Sequence, residues 1–156
     1  MNKYQGFLVL ESGEVFPGFW PGDKSAVTKT LDRAGEVVFN TSHSGYEEMA
    51  TDPSYFQQIL VLTAPQMGNY GENDEFWESE RIWITGFVCV EMQNSARDRA
   101  WRDKLAKSGV PILTDVDTRR LVMRLRDFGT PWGAIVFGDD QGKAVERAKA
   151  LIQEKK

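Results

Sequence analysis

A 156-residue chain with one cysteine and one histidine has few ways to run nucleophilic chemistry. Cys89 is the first residue to weigh, because a thiolate can attack an acyl carbon when a nearby base takes its proton. Its setting argues otherwise. It lies inside the apolar run Gly86-Phe87-Val88-Cys89-Val90, without the basic neighbours that lower a thiol pKa, so it reads as a small core hydrophobe. His43 stands far upstream in the polar cluster Thr41-Ser42-His43-Ser44-Gly45. One Cys and one His also make no metal-ligand set of recognisable spacing.

Carboxylate pairs at Glu47/Glu48 and Asp115/Asp117 have the right groups for acid–base work. Adjacent residues point in different directions, however, and acids just before a helix usually cap it. Structural use is favoured for both pairs, leaving a small enzyme built on Asp115 and Asp117 as the weaker alternative. Gly68-Asn69-Tyr70-Gly71 lacks the lysine and helix start of a P-loop, so a turn explains it better than a phosphate cradle. Ser54 follows Pro53, where its hydroxyl can serve a backbone group or a ligand carboxylate. On residues alone, the backbone role is favoured.

Two surface candidates stay open. Arg119, Arg120, Arg124 and Arg126 fall on one expected helix, either as a solvated face or as forks for an acidic partner. Phe19-Trp20 sits among prolines and glycines, where two large aromatics either fold onto their own core or fill a partner's pocket.

The elements that must carry these residues follow from pattern. Residues 6–10 and 15–16 read as strands around a Ser-Gly turn, while 17–22, with two prolines and two glycines, reads as a loop. Further strands are expected over 26–31, 35–40, 58–63, 82–90, 110–113 and 133–138. Helices are expected over 45–50, 98–108, 118–127 and 143–153, the third capped by Asp115 or Asp117, with Leu121, Leu125 and Phe128 on one face. Residues 64–81 read as a long irregular connection of the kind that is uncommon unless functional or packed on a partner. The order predicts an α/β fold of layered sheets and helices, strand-rich in its first half with helices mainly in its second.

Composition bounds the rest. Residues 1–156 fit a single domain of common size, and 41% hydrophobic with 12% aromatic residues suffices for a core. A net charge of -4 argues against a general nucleic-acid binder. The lone cysteine implies no oxidising compartment, and neither a signal peptide nor a membrane-length apolar run is evident, so a cytoplasmic protein without membrane contact is expected.

Three blocks then converge. The first is Gly35-Glu36-Val37-Val38-Phe39-Asn40-Thr41 with Gly45-Tyr46-Glu47-Glu48 and Thr51-Asp52-Pro53-Ser54-Tyr55. Thr63, Pro65 and Gly68-Asn69-Tyr70-Gly71 form the second, and Asp117-Thr118-Arg119 with Leu121 and Leu125-Arg126 the third. In order and spacing over residues 6–138 they resemble the amino-terminal domain of the carbamoyl-phosphate synthetase small subunit. This chain departs from that pattern at Glu47, Ala64 and Val90, and in a longer stretch between Gly18 and Gly35.

The resemblance implies a swivelling β/β/α domain that is not itself catalytic. In the family it precedes a glutaminase domain with a Cys-His-Glu triad, expected to be missing here because the chain stops after the helix at 143–153. The whole small subunit hydrolyses glutamine and passes ammonia to a large subunit that uses ATP and bicarbonate, for pyrimidine and arginine synthesis. The resemblance makes Ser54 border the glutamine site. It assigns structural roles to Gly45, Tyr46, Asp52, Pro53, Gly68, Asn69, Gly71, Asp117, Thr118 and Arg119. Phe19, Trp20, Arg120 and Arg124 are candidates for the subunit interface, and no cofactor or metal is expected in this domain. The alternative is a binding module of the same descent that scaffolds a different partner.

Overall fold

The first hairpin forms where the sequence turns polar between two apolar runs. β1 (Tyr4–Leu10) and β2 (Val15–Trp20) pair antiparallel, and the amide of Leu10 donates to the Glu14 carbonyl at 2.9 Å to close the turn. The computed structural model describes residues 4–20, 32–40, 57–62, 84–90 and 109–156. The expected strand at 26–31, the helices at 45–50 and 98–108, and the connection at 64–81 lie outside the described residues.

β2 corrects one expectation. Residues 17–20 continue the strand instead of looping, with Pro17 opposite Phe7 and Gly18 opposite Gly6. Pro17 is exposed on a strand that has a full ladder on one side only, so its missing N–H costs no interior hydrogen bond.

β3 (Arg33–Asn40), β4 (Gln58–Leu62), β5 (Gly86–Cys89) and β6 (Ile112–Leu113) run parallel, and β7 (Trp132–Phe137) is antiparallel to both β1 and β3. The described strands form one mixed seven-stranded sheet in the order β2-β1-β7-β3-β4-β5-β6. Strands β4 and β5 read as unbroken apolar runs because both faces of a parallel strand are buried. β5 and β6 are shorter than expected at 82–90 and 110–113. Pro111 cannot donate to a ladder and serves only as acceptor for the Phe87 amide, at 3.0 Å.

Among the described residues, two helices cover this sheet. α1 (Thr118–Phe128) buries Leu121 and Leu125 in the main core with Leu8, Leu10, Phe16, Val37 and Ile135. α2 (Gln141–Lys155) lays Ala144, Ala148 and Ile152 on a second cluster of Phe7, Val9, Ala134 and Val136. Alternate residues of β1 and β7 therefore face different cores, as the pleat requires. α2 starts earlier than the expected 143 because Asp140 accepts from the Lys143 amide at 3.1 Å and caps it. Mixed strands concentrated in the first half, with helices in the second, match the sequence expectation for fold class.

The sheet curls until its two edges meet. Phe19 of β2 and Thr114, just past β6, exchange backbone hydrogen bonds at 2.9 and 2.8 Å, and the Thr114 hydroxyl donates to the Phe19 carbonyl at 3.2 Å. Closure needs the facing glycines of the hairpin. A Cβ on Gly18 would lie 2.6 Å from the Thr114 carbonyl oxygen and 2.7 Å from Leu113 Cγ; one on Gly6 would lie 2.8 Å from Leu113 Cδ1. Leu113, fully buried, fills the gap that the two leave.

Ion pairs tie α2 to the rim. Arg147 donates to Asp32 Oδ2 at 3.3 Å and to the Phe137 carbonyl, while Asp32 accepts from the Phe137 amide at 3.2 Å. Burial pushes the Asp32 carboxyl above its ordinary value even though Arg147 opposes the shift. At the other end Lys156 donates to Glu11 at 2.6 Å and the Trp132 amide donates to it at 2.9 Å, in that order holding the Glu11 carboxyl below its ordinary value.

Two outcomes are expected. Gly18→Ala should lower unfolding free energy by about 2 kcal/mol in urea titrations, the usual cost of overpacking against unyielding backbone; an unchanged midpoint would contradict the closure. The two carboxyls act on stability in opposite directions. Glu11 contributes stability above its unfolded pKa, near 4.3, which is lost as pH falls through the lower folded value. Asp32 contributes below its unfolded pKa and loses that contribution as pH rises through the raised folded value. Glu11→Gln should therefore flatten the acid limb of the stability curve, and Asp32→Asn should remove a decline on its rising side, both followed by thermal melts across pH.

Candidate functional site

The carboxyl ends of the parallel strands share one edge of the sheet, with Asn40 beside Leu62 and Leu62 beside Cys89. In parallel α/β sheets, whether open or closed, ligand-binding groups commonly come from the loops at that end. Of the sequence blocks, the first begins within β3 and the third, with Asp117, follows β6.

The third block is described in full and the first only over residues 35–40 of β3, and the geometry of the third is specific. After Thr114, Asp115 turns through φ 63°, its amide donating to the Val90 carbonyl at 2.7 Å. A left-handed aspartate is tolerated at such a turn, whereas most residues would be strained. Asp117 then caps α1, its Oδ1 accepting from the Arg120 amide at 3.1 Å, so Asp117 and not Asp115 is the cap. Thr118 is 5% exposed and belongs to the core. Arg119 points to solvent and makes no ion pair among the described residues. The Asp-Thr-Arg triplet thus divides into a cap, a buried anchor and an exposed cation.

Beyond the triplet, two arginines face inward along the surface. The Arg120 guanidinium lies 4.0 Å over the Phe16 ring, donates to the Val15 carbonyl at 3.0 Å, and stands 3.7 Å from the Glu14 carboxylate. Arg124 donates to the same Glu14 oxygen at 3.0 Å. These contacts clamp α1 to the hairpin turn. Arg126 lies 5.9 Å from the Phe39 ring.

The other candidates fall in different places. Trp20 is 3% exposed and meets Phe137 edge-on at 5.8 Å, so of its two open fates it folds onto its own core. Phe19 is half-buried, and its backbone makes the closing seam. Cys89 is fully buried in β5. Ser54, Gly45, Tyr46, Asp52, Pro53, Gly68, Asn69 and Gly71 lie outside the described residues, as do His43, Glu47 and Glu48. Among the described residues no group of three or more His, Cys, Asp or Glu could hold a metal ion, and no helix is long and apolar enough to cross a membrane.

Sequence reasoning did not single out Glu14, Thr114 or Met123. Glu14 meets Arg124 across 110 positions and Thr114 meets Phe19 across 95, so no local pattern announces either contact. Met123 carried a legible signal: it breaks the polar face of a helix whose apolar stripe is Leu121, Val122 and Leu125. Chemically, this edge offers an aspartate-capped helix start with an exposed arginine, and a sealed thiol.

Comparison with known proteins places the chain. Residues 8–135 match the family described as carbamoyl-phosphate synthase small chain, CPSase domain. The carbamoyl phosphate synthase small chain of Photobacterium profundum is 42% identical over 156 residues, covering 96% of this chain and 38% of the relative. Its counterpart in Pasteurella multocida is 41% identical over 149 residues (92% and 37%), and that of Corynebacterium glutamicum 40% over 161 residues (98% and 39%). The chain spans less than two-fifths of the length of these relatives.

Two properties of the site can be checked directly. Asp117→Ala should cost about 1 kcal/mol of stability through the lost cap, and Asp117→Asn much less, measured by denaturant titration. Equal losses would show that the capping oxygen is not what the position supplies. Cys89 should resist a thiol reagent in the native state and react once urea unfolds the chain; fast native labelling would contradict its burial.

Proposed function

The chain belongs to the carbamoyl-phosphate synthase small-chain family, and from that membership we propose that it is a non-catalytic platform domain of such a subunit. Residues 1–156 form one domain that docks to the large synthetase subunit and borders the glutamine site of a glutaminase domain. Glutamine-derived ammonia then supports carbamoyl phosphate formation for pyrimidine and arginine synthesis in the cytoplasm. ATP and bicarbonate are handled by the large subunit, and this domain binds no cofactor of its own. Ser54 lends its hydroxyl to the glutamine site without taking part in bond making.

One observation carries the reading. The family match runs from Leu8 in β1 to Ile135 in β7, and so takes in both sides of the closing seam and the whole of α1. The burial of Cys89 supports the non-catalytic part, because a thiol closed off on both faces of a sheet cannot reach an amide carbonyl.

The expected outcome is co-elution of the purified chain with a carbamoyl-phosphate synthase large subunit on gel filtration, with no glutamate released from glutamine by the chain alone. Failure to associate would favour a module adapted to another partner. Glutamate release that disappears in Cys89→Ala would overturn the non-catalytic assignment.

A further inference from the structure

The four arginines of α1 do not share one environment. Arg120 and Arg124 are spent on Glu14, and Arg120 also on Phe16 and the Val15 carbonyl. That leaves the outer face of the helix, which carries Arg119, Met123 and Arg126 at positions i, i+4 and i+7. Side chains at this spacing lie one above another on a single face. Met123 is 61% exposed and is the one large hydrophobic side chain found exposed among the described residues.

We propose that this outer face of α1, centred on Met123 between Arg119 and Arg126, is the surface by which the domain docks an acidic protein surface. The inference rests on the subunit reading above and deepens it by naming the contact.

Charge selects the occupant. The chain as a whole carries -4, yet α1 carries four arginines and a single acid, Asp127, with no acid in its first turn. With Glu14 engaging Arg120 and Arg124 and Asp117 at the cap, the positive charge free to meet a partner is that of Arg119 and Arg126, which favours carboxylates over a basic surface. Methionine and arginine are both enriched at the centres of protein interfaces, where a flexible thioether fills an irregular pocket and a planar guanidinium pairs with a carboxylate. A nucleic acid is the poorer fit, because a phosphate backbone rewards added cations and offers nothing to the thioether. Because Glu14 engages the two inner arginines and holds the helix against the hairpin, the outer row stands on a fixed support.

The test uses the intact chain and the large subunit in a binding titration. Arg119→Glu with Met123→Glu should weaken association by about tenfold or more, as expected for charge reversal and loss of an anchor at an interface centre. Lys149→Glu, an exposed change on α2, should leave affinity unchanged, and all variants should melt like the original because the altered side chains are exposed. Wild-type affinity in the double variant, with the original chain binding normally, would overturn this surface while leaving the subunit reading in place. No binding by the original chain would remove both. Equal capture of a random-sequence duplex at physiological salt would show that the face is merely cationic.

Discussion

Two backbone hydrogen bonds between Phe19 and Thr114 determine where everything else in this domain can be. β6 is only two residues long, and a strand so short has little hold on its neighbour β5 alone. The bonds to Phe19 give it a second anchor and bring the hairpin edge against the parallel edge. Close approach is possible because the hairpin presents glycine opposite glycine at the point of contact, and Leu113 occupies the space. The antiparallel and parallel parts of the sheet then enclose one core from opposite sides, while α2 covers the outside of the antiparallel part.

The seam also sets the start of α1. Thr114 ends the bridge, Asp115 makes the left-handed turn, and Asp117 caps the helix, so three residues convert strand position into helix position. Glu14 then fixes the rotation of the helix through Arg120 and Arg124. Exposed ion pairs of this kind contribute little one by one, about 0–1 kcal/mol. Their value here is directional. They hold Arg120 inward over Phe16 and Arg124 against the hairpin turn, and so leave a defined remainder facing out.

Much of this was legible from residues. β1, β3, β4 and α1 follow from apolar runs, periodicity and a capping acid, and the ordered blocks from Gly35 to Arg126 pointed to the family. Pro17 misled, because proline argues against a strand in general but not on an edge with one full ladder. The start of α2 differs because its cap, Asp140, lies three residues before the expected first position, 143. Closure was invisible for a different reason: Phe19 and Thr114 are separated by most of the chain, and no spacing rule links them. The same distance hid Glu14, so the sequence showed four arginines without showing which two pair with it.

Function thus depends on whether the seam is a permanent part of the fold or opens on its own. Hydrogen exchange at the Phe19 and Thr114 amides answers that most directly. Both should exchange only through global unfolding, with protection equal to that of central-strand amides such as Leu8 and Ile135. Exchange at the seam that runs orders of magnitude faster than at those amides would mean that the edges part locally and that the domain is no rigid platform.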